Sequence, residues 1–164
     1  MKTLLLALAT LAHLLPLPFG VSPVGATALY AGAFGNKRTS WLVPLLPLTL
    51  GLLVTGLYSP LVMAFVFAGF ALSTLAGRWW LSRRRSLERY GVAVAVGAVI
   101  FFVVSNFAVW LAGYYPPTPA GLVACYLNGL PLLTKTLVAD SAFCFALFGL
   151  HAVIERREAA PAVA

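Results

Sequence analysis

Charge is what this sequence has least of. Charged side chains make up 9% of its 164 residues, and only four of them are acidic, whereas soluble domains carry about a quarter. With 62% hydrophobic residues, that scarcity excludes an ordinary soluble domain and indicates an integral membrane protein. Cysteine is nearly missing as well. Cys125 and Cys144 have neither metal-ligand spacing nor a partner motif, so both read as small apolar fillers and no metal is expected. No Gly-rich phosphate loop, HExxH or GxSxG occurs, so neither an enzyme nor a bound cofactor is expected. A membrane span uses roughly 20 apolar residues, so five or six spans would consume nearly the whole chain as one domain.

The formal net charge of +7 suggests a nucleic-acid binder until its positions are read. Basic residues stand at the ends of apolar stretches: Lys2, Lys37-Arg38, Arg78 with Arg83-Arg84-Arg85 and Arg89, and Arg156-Arg157. That is the positive-inside distribution that orients helices in a bilayer, and it argues against nucleic acid as a partner. Of the 11 Lys and Arg residues, Lys135 alone lies inside an apolar run. Six spans would gather the others, and both termini, on the cytoplasmic side of a bacterial inner membrane.

Met1 to Phe19 reads as a first span (3–19) rather than a removed leader, because cleavage at Val24-Gly25-Ala26 would cut into the next apolar run. Without that span, five remain. Ser22-Pro23 is a helix start, a hydroxyl for free amides followed by a proline where no amide is needed. The second helix (23–35) places Ala28 and Gly32, and Ala31 and Gly35, four residues apart, a spacing that lets backbones approach closely in lipid. The third (40–58) contains Pro44 and Pro47 and is expected to bend or tilt. Ser59-Pro60 opens the fourth (60–77), where Ala64 and Ala68 form another small-residue pair. Ala28, Gly32, Gly35, Ala64 and Ala68 are thus candidates for contact with a partner helix, and Arg83, Arg84 and Arg85 for a cytoplasmic docking surface. The fifth helix (90–112) carries Asn106 and Trp110 one turn apart. After the proline-rich loop Tyr114 to Gly121, Thr118-Pro119 opens a short outer lid helix, and Pro131 opens a sixth helix (131–154) that Glu155-Arg156-Arg157-Glu158 stops. The fold class is an all-α membrane protein, one domain over 1–158, with a disordered tail over 159–164.

Polar groups at membrane depth are expensive and mark functional sites. If the sixth helix enters from outside at Pro131, a rise of roughly 1.5 Å per residue puts Lys135 about 6 Å down, Asp140 about 14 Å down and Asn106 about 9 Å down. All three then share the outer half of the membrane beneath the Tyr114 to Asn128 segment, which describes a pocket open to the outside. Lys135 and Asp140 lie about 140° apart around the helix, so they should not pair. Thr136, Asp140 and Cys144 share one face. The competing reading is that Asp140 and Lys135 satisfy backbone ends and only lock the fold. His13 and His151 lie toward opposite membrane faces, which argues against a shared metal, whereas His151 and Glu155, one turn apart, suggest an interfacial pair.

Several motifs resemble a family of small, uncharacterised bacterial membrane proteins: Asn106-Phe-x-x-Trp110, Tyr115-Pro-x-Thr118-x-x-Gly121-Leu122-x-x-Cys125-Tyr126, Leu130-Pro131 and Thr136-Leu137-x-x-Asp140, with Ser22-Pro23-Val24-x-Ala26 upstream. By layout, that family is similar to the S components of energy-coupling-factor transporters, six-helix proteins that bind vitamins or their precursors from outside. The resemblance implies a small-molecule site near the outer face, and partnership with a coupling membrane subunit and two ATPases. Two positions depart from the family's pattern: Leu52 stands where it tends to have Asp, and Lys135 where it tends to have Asn. The expected ligand contacts are Asn106, Trp110, Tyr114, Tyr115, Asn128, Lys135 and Asp140, with Lys135 favouring an anionic group. The alternative function is a structural accessory subunit of a larger membrane complex, such as an energy-converting one.

Overall fold

The computed structural model describes residues 2–12, 17–18, 20–55, 59–81 and 86–159. Its elements are α1 (Lys2–Ala12), α2 (Val24–Phe34), a 3-10 turn (Ser40–Leu42), α3 (Leu45–Thr55), α4 (Pro60–Leu81), α5 (Leu87–Val109), a π-helical turn (Trp110–Tyr114) and α6 (Pro119–Ala159). No strand occurs among the described residues. The regions 60–81, 88–114 and 119–158 are long and apolar enough to cross a membrane. The Arg83-Arg84-Arg85 run, His13 and the tail beyond Ala159 lie outside the described residues.

The bundle is built around α2. Its 11 residues would extend about 16 Å, half the thickness of a hydrocarbon core, and every residue from Val24 to Gly32 is buried. A helix that is apolar on all sides is stable only when surrounded, and α1, α4, α5 and α6 provide that surround. The fit to α4 is tight: a Cβ on Gly32 would run into the Thr74 carbonyl oxygen, and one on Gly77 would lie 2.7 Å from the Leu29 carbonyl oxygen. Ala28 and Gly32 therefore serve packing inside the chain, which corrects their assignment to a partner interface. Gly35 is also turned inward, toward Ala31 and Ser40. Ala64 and Ala68 do face outward on α4.

The expected first helix (3–19) ends at Ala12, with Leu17 and Pro18 outside any helix, and the fourth runs on to Leu81. The parts of the first and third at 13–16, 19 and 56–58 lie outside the described residues. Three further boundaries differ, each for a local reason. The expected third helix divides into the 3-10 turn and α3 because Pro44 has no amide to continue a ladder from Ser40, and Pro47 falls in the first turn of α3, where amides lack intrahelical partners. α5 starts early because the Ser86 hydroxyl accepts a hydrogen bond from the Arg89 amide at 3.4 Å and Glu88 occupies the first turn. The separate lid helix does not form. Thr118 caps α6, its hydroxyl accepting from the Gly121 amide at 3.1 Å, and the helix runs on through Pro131 for 41 residues. At about 60 Å, α6 is twice the length a bilayer core requires.

One end of the bundle is basic. Arg78 donates to the carbonyls of Lys37 (2.7 Å) and Asn36 (3.2 Å) and to the Ser40 hydroxyl, closing the loop after α2 onto α4. Arg89 donates to the Trp80 carbonyl at 3.0 Å, and Arg156 and Arg157 occupy the last turn of α6. The opposite end contains the start of α4, the end of α5 and the α5–α6 connection.

Candidate functional site

Asp140 belongs to α6 but acts on α2. Its side chain is 4% exposed, and Oδ1 accepts a hydrogen bond from the amide of Ala26, the third residue of α2, at 3.2 Å. The first amides of a helix have no intrahelical acceptor. Here the Ser22 hydroxyl takes the Val24 amide at 3.2 Å, and a carboxyl group from another helix takes the Ala26 amide. Gly25 makes the approach possible, since a Cβ at that position would overlap both carboxyl oxygens.

Beside this contact lies a cavity of about 530 Å³ between α2, α3, α4, α5 and α6, within the roughly 300–1,000 Å³ typical of small-molecule sites. Its walls are apolar: Leu48, Val62, Val66, Phe70, Phe101, Val109 and Leu132. Ser22, Ser105, Asn106, Thr136 and Asp140 supply the polar part. The cavity occupies the end of the bundle away from Arg78 and Arg89. Thr136 and Asp140 line it from the α6 face that the spacing predicts, and Cys144 is buried further along that face.

Asn106 lines the same cavity and also fastens α5 to α6. Its Nδ2 donates to the Phe102 carbonyl at 2.8 Å, and its backbone carbonyl accepts the Cys125 thiol at 3.3 Å. A Cβ on Gly129 would come within 2.5 Å of Asn106 Oδ1. Cys125 is thus a buried filler whose thiol has an acceptor.

The aromatic candidates lie elsewhere. Trp110, Tyr114 and Tyr115 border a separate hollow with Pro116 and Pro117. Trp110 Nε1 donates to the Pro116 carbonyl at 2.9 Å, and Asn128 Nδ2 donates to the Tyr115 hydroxyl at 3.2 Å. Gly113 turns the chain with φ of 84°, a left-handed conformation that glycine adopts without a Cβ clash. These four residues form a cap over the end of the bundle and do not border the Asp140 cavity.

Lys135 does not border it either. It is exposed, and its stem lies against Gly20, whose added Cβ would be 3.4 Å from Lys135 Cδ. The five-residue offset from Asp140 turns the two to different sides of α6, so the expected preference for an anionic group loses its basis at this cavity.

A second polar cluster sits toward the basic end. The Tyr30 hydroxyl and His151 Nδ1 are 2.5 Å apart, both residues are fully buried, and Phe34 and Phe148 pack around them. His151 Nε2 lies 2.9 Å from Glu155 Oε1, one turn along the helix. The expected His151–Glu155 pair is present, with the histidine in the core and Tyr30 as its unforeseen partner. Replacing Tyr30 with Phe leaves a buried ring nitrogen without its hydroxyl, and should cost about 1–3 kcal/mol in reversible unfolding by denaturing detergent. A wild-type midpoint would remove this contact from the stabilising interactions.

The sequence assigns Gly25, Phe70 and Phe101 no part in a site, whereas the Ser22 hydroxyl takes the capping role that Ser22-Pro23 predicts. A glycine two residues after Pro23, at the mouth of a helix, was the available signal for Gly25. Phe70 and Phe101 carried none, because two phenylalanines in apolar runs read as lipid-facing until their helices are paired.

The chain matches no curated protein and no solved structure. Residues 1–163 match the family of unknown function DUF6580, and the chain belongs to that family.

Proposed function

We propose that this protein is a membrane-embedded small-molecule-binding subunit of an import system, with the layout of an energy-coupling-factor S component. In this reading six helices are embedded in the membrane, α2 reaching only part of the way across, with the basic end in the cytoplasm of a bacterial cell and the cavity facing outward. The observation that carries it is the cavity bounded by Asp140 and Asn106: two polar groups from different helices meeting an apolar hollow of ligand size. The basic end would then be available to a coupling membrane subunit and ATPases. A second reading, a structural accessory subunit of a larger complex, draws on the outward row Leu61, Ala64, Ala68, Leu72 and Leu75 of α4.

Purification of the tagged protein from its native membrane in mild detergent separates the two. Two ATPases and a coupling membrane protein in stoichiometric amounts are the expected companions. A stoichiometric set of non-transport subunits instead would overturn the import reading and establish the accessory one.

A further inference from the structure

We infer that the cavity takes an amine: a molecule with a flat apolar body and a cationic head that pairs with Asp140. This rests on the small-molecule-binding reading above and specifies the class of ligand.

Asp140 is incompletely paired among the described residues. Asp140 is 4% exposed, yet its one hydrogen bond from a described residue is the Ala26 amide on Oδ1, and its carboxyl borders the cavity. No Lys or Arg among the described residues lines that space. Lys135 points away, and the other described basic residues gather at the far end. A buried carboxyl group is tolerated when partners satisfy its remaining lone pairs, and the start of α2 supplies only a partial positive charge, about half an elementary charge. An ammonium group entering the cavity would bring up to three donors and a full positive charge to the uncommitted oxygen. An anionic ligand would meet the same carboxyl group with repulsion.

The body of the ligand follows from the walls. Phe70 and Phe101 stack with ring centroids 4.4 Å apart and an interplanar angle of 28°, and Val62 and Val66 continue that side. Such a surface favours a planar apolar group and supplies no hydrogen bonds along its length. Ser105 and Thr136 give the cavity hydroxyls that can serve a second polar substituent. Recognition is thus concentrated at one end, where charge matters, with shape doing the rest.

The test compares three probes sharing one body: 3-(1-naphthyl)propylamine, the corresponding propanol and the corresponding propanoate. Binding is measured by equilibrium dialysis against the full-length protein in lipid nanodiscs, with empty nanodiscs subtracted. The expected result is saturable binding of the amine, at least about tenfold tighter than the alcohol and with the carboxylate weakest. Asp140→Asn, which retains an acceptor for Ala26, should reduce the amine-to-alcohol ratio to about one while alcohol binding persists. Equal or tighter binding of the alcohol or the carboxylate to wild type would overturn the amine assignment and leave the cavity as a binding site. Absence of saturable binding by all three would overturn both.

Discussion

Gly32→Ala should lower the stability of the protein by about 3 kcal/mol or more, the upper end of what overpacking costs. The new methyl group meets the Thr74 carbonyl oxygen and lies 2.8 Å from the Arg78 amide nitrogen, both backbone atoms of α4. Neither can rotate away, so relief requires α2 and α4 to separate along their whole contact. Separation would expose the buried face of α2 and strain the Arg78 bonds that close the loop after it. Gly91→Ala provides the control. Nothing lies within 4 Å of a Cβ at Gly91, and alanine is the better helix former by about 0.8–1 kcal/mol, so this variant should be unchanged or slightly more stable. Unfolding of both in denaturing detergent checks the pair. Equal midpoints would mean that the close approach of α2 to α4 is not what holds the bundle.

Asp140 should separate stability from binding. Asp140→Ala removes the acceptor for Ala26 and leaves a buried amide unpaired, which should cost about 1–3 kcal/mol. Asp140→Asn keeps an acceptor of the same reach, so its stability should stay within about 1 kcal/mol of wild type. Ligand retention should fall in both variants by about tenfold to a hundredfold, the equivalent of one hydrogen bond to a charged group, about 1.5–3 kcal/mol. A folded Asp140→Asn protein that has lost its ligand identifies a binding residue. Full retention in Asp140→Asn, alongside an unstable Asp140→Ala, would reduce the side chain to a cap for α2. Both roles are compatible with the geometry, because one oxygen faces Ala26 while the carboxyl also borders the cavity.

The helical class was legible because apolar runs, small-residue spacing and basic ends all agree, and three helices are indeed long and apolar enough to cross a membrane. Asn106 and Asp140 were legible for a related reason: a polar side chain inside an apolar run has to be accommodated by something. What accommodates it is a tertiary matter. Asp140 meets the start of α2, more than a hundred residues earlier in the chain, and only Gly25 hints at this. Pro131 resembles a helix start because it stands two residues beyond the turn pair Asn128-Gly129. Packing of Gly129 and Cys125 on Asn106 holds the helix continuous through that point. The aromatic residues Trp110, Tyr114 and Tyr115 do not reach the cavity, since residue spacing gives depth along a helix and not which side of a neighbour it meets. In the sequence Tyr30 is one more aromatic in an apolar run. Only the packing of α2 against α6 brings its hydroxyl to His151.

Native mass spectrometry of the gently extracted protein offers the most direct test that the hollow beside Asp140 holds a small molecule. Wild-type protein should carry an adduct of defined mass, and Val66→Trp, which fills the hollow from α4, should fly bare with its fold intact. An adduct-free wild-type spectrum, or one adduct shared unchanged by both proteins, would contradict a ligand site in that place.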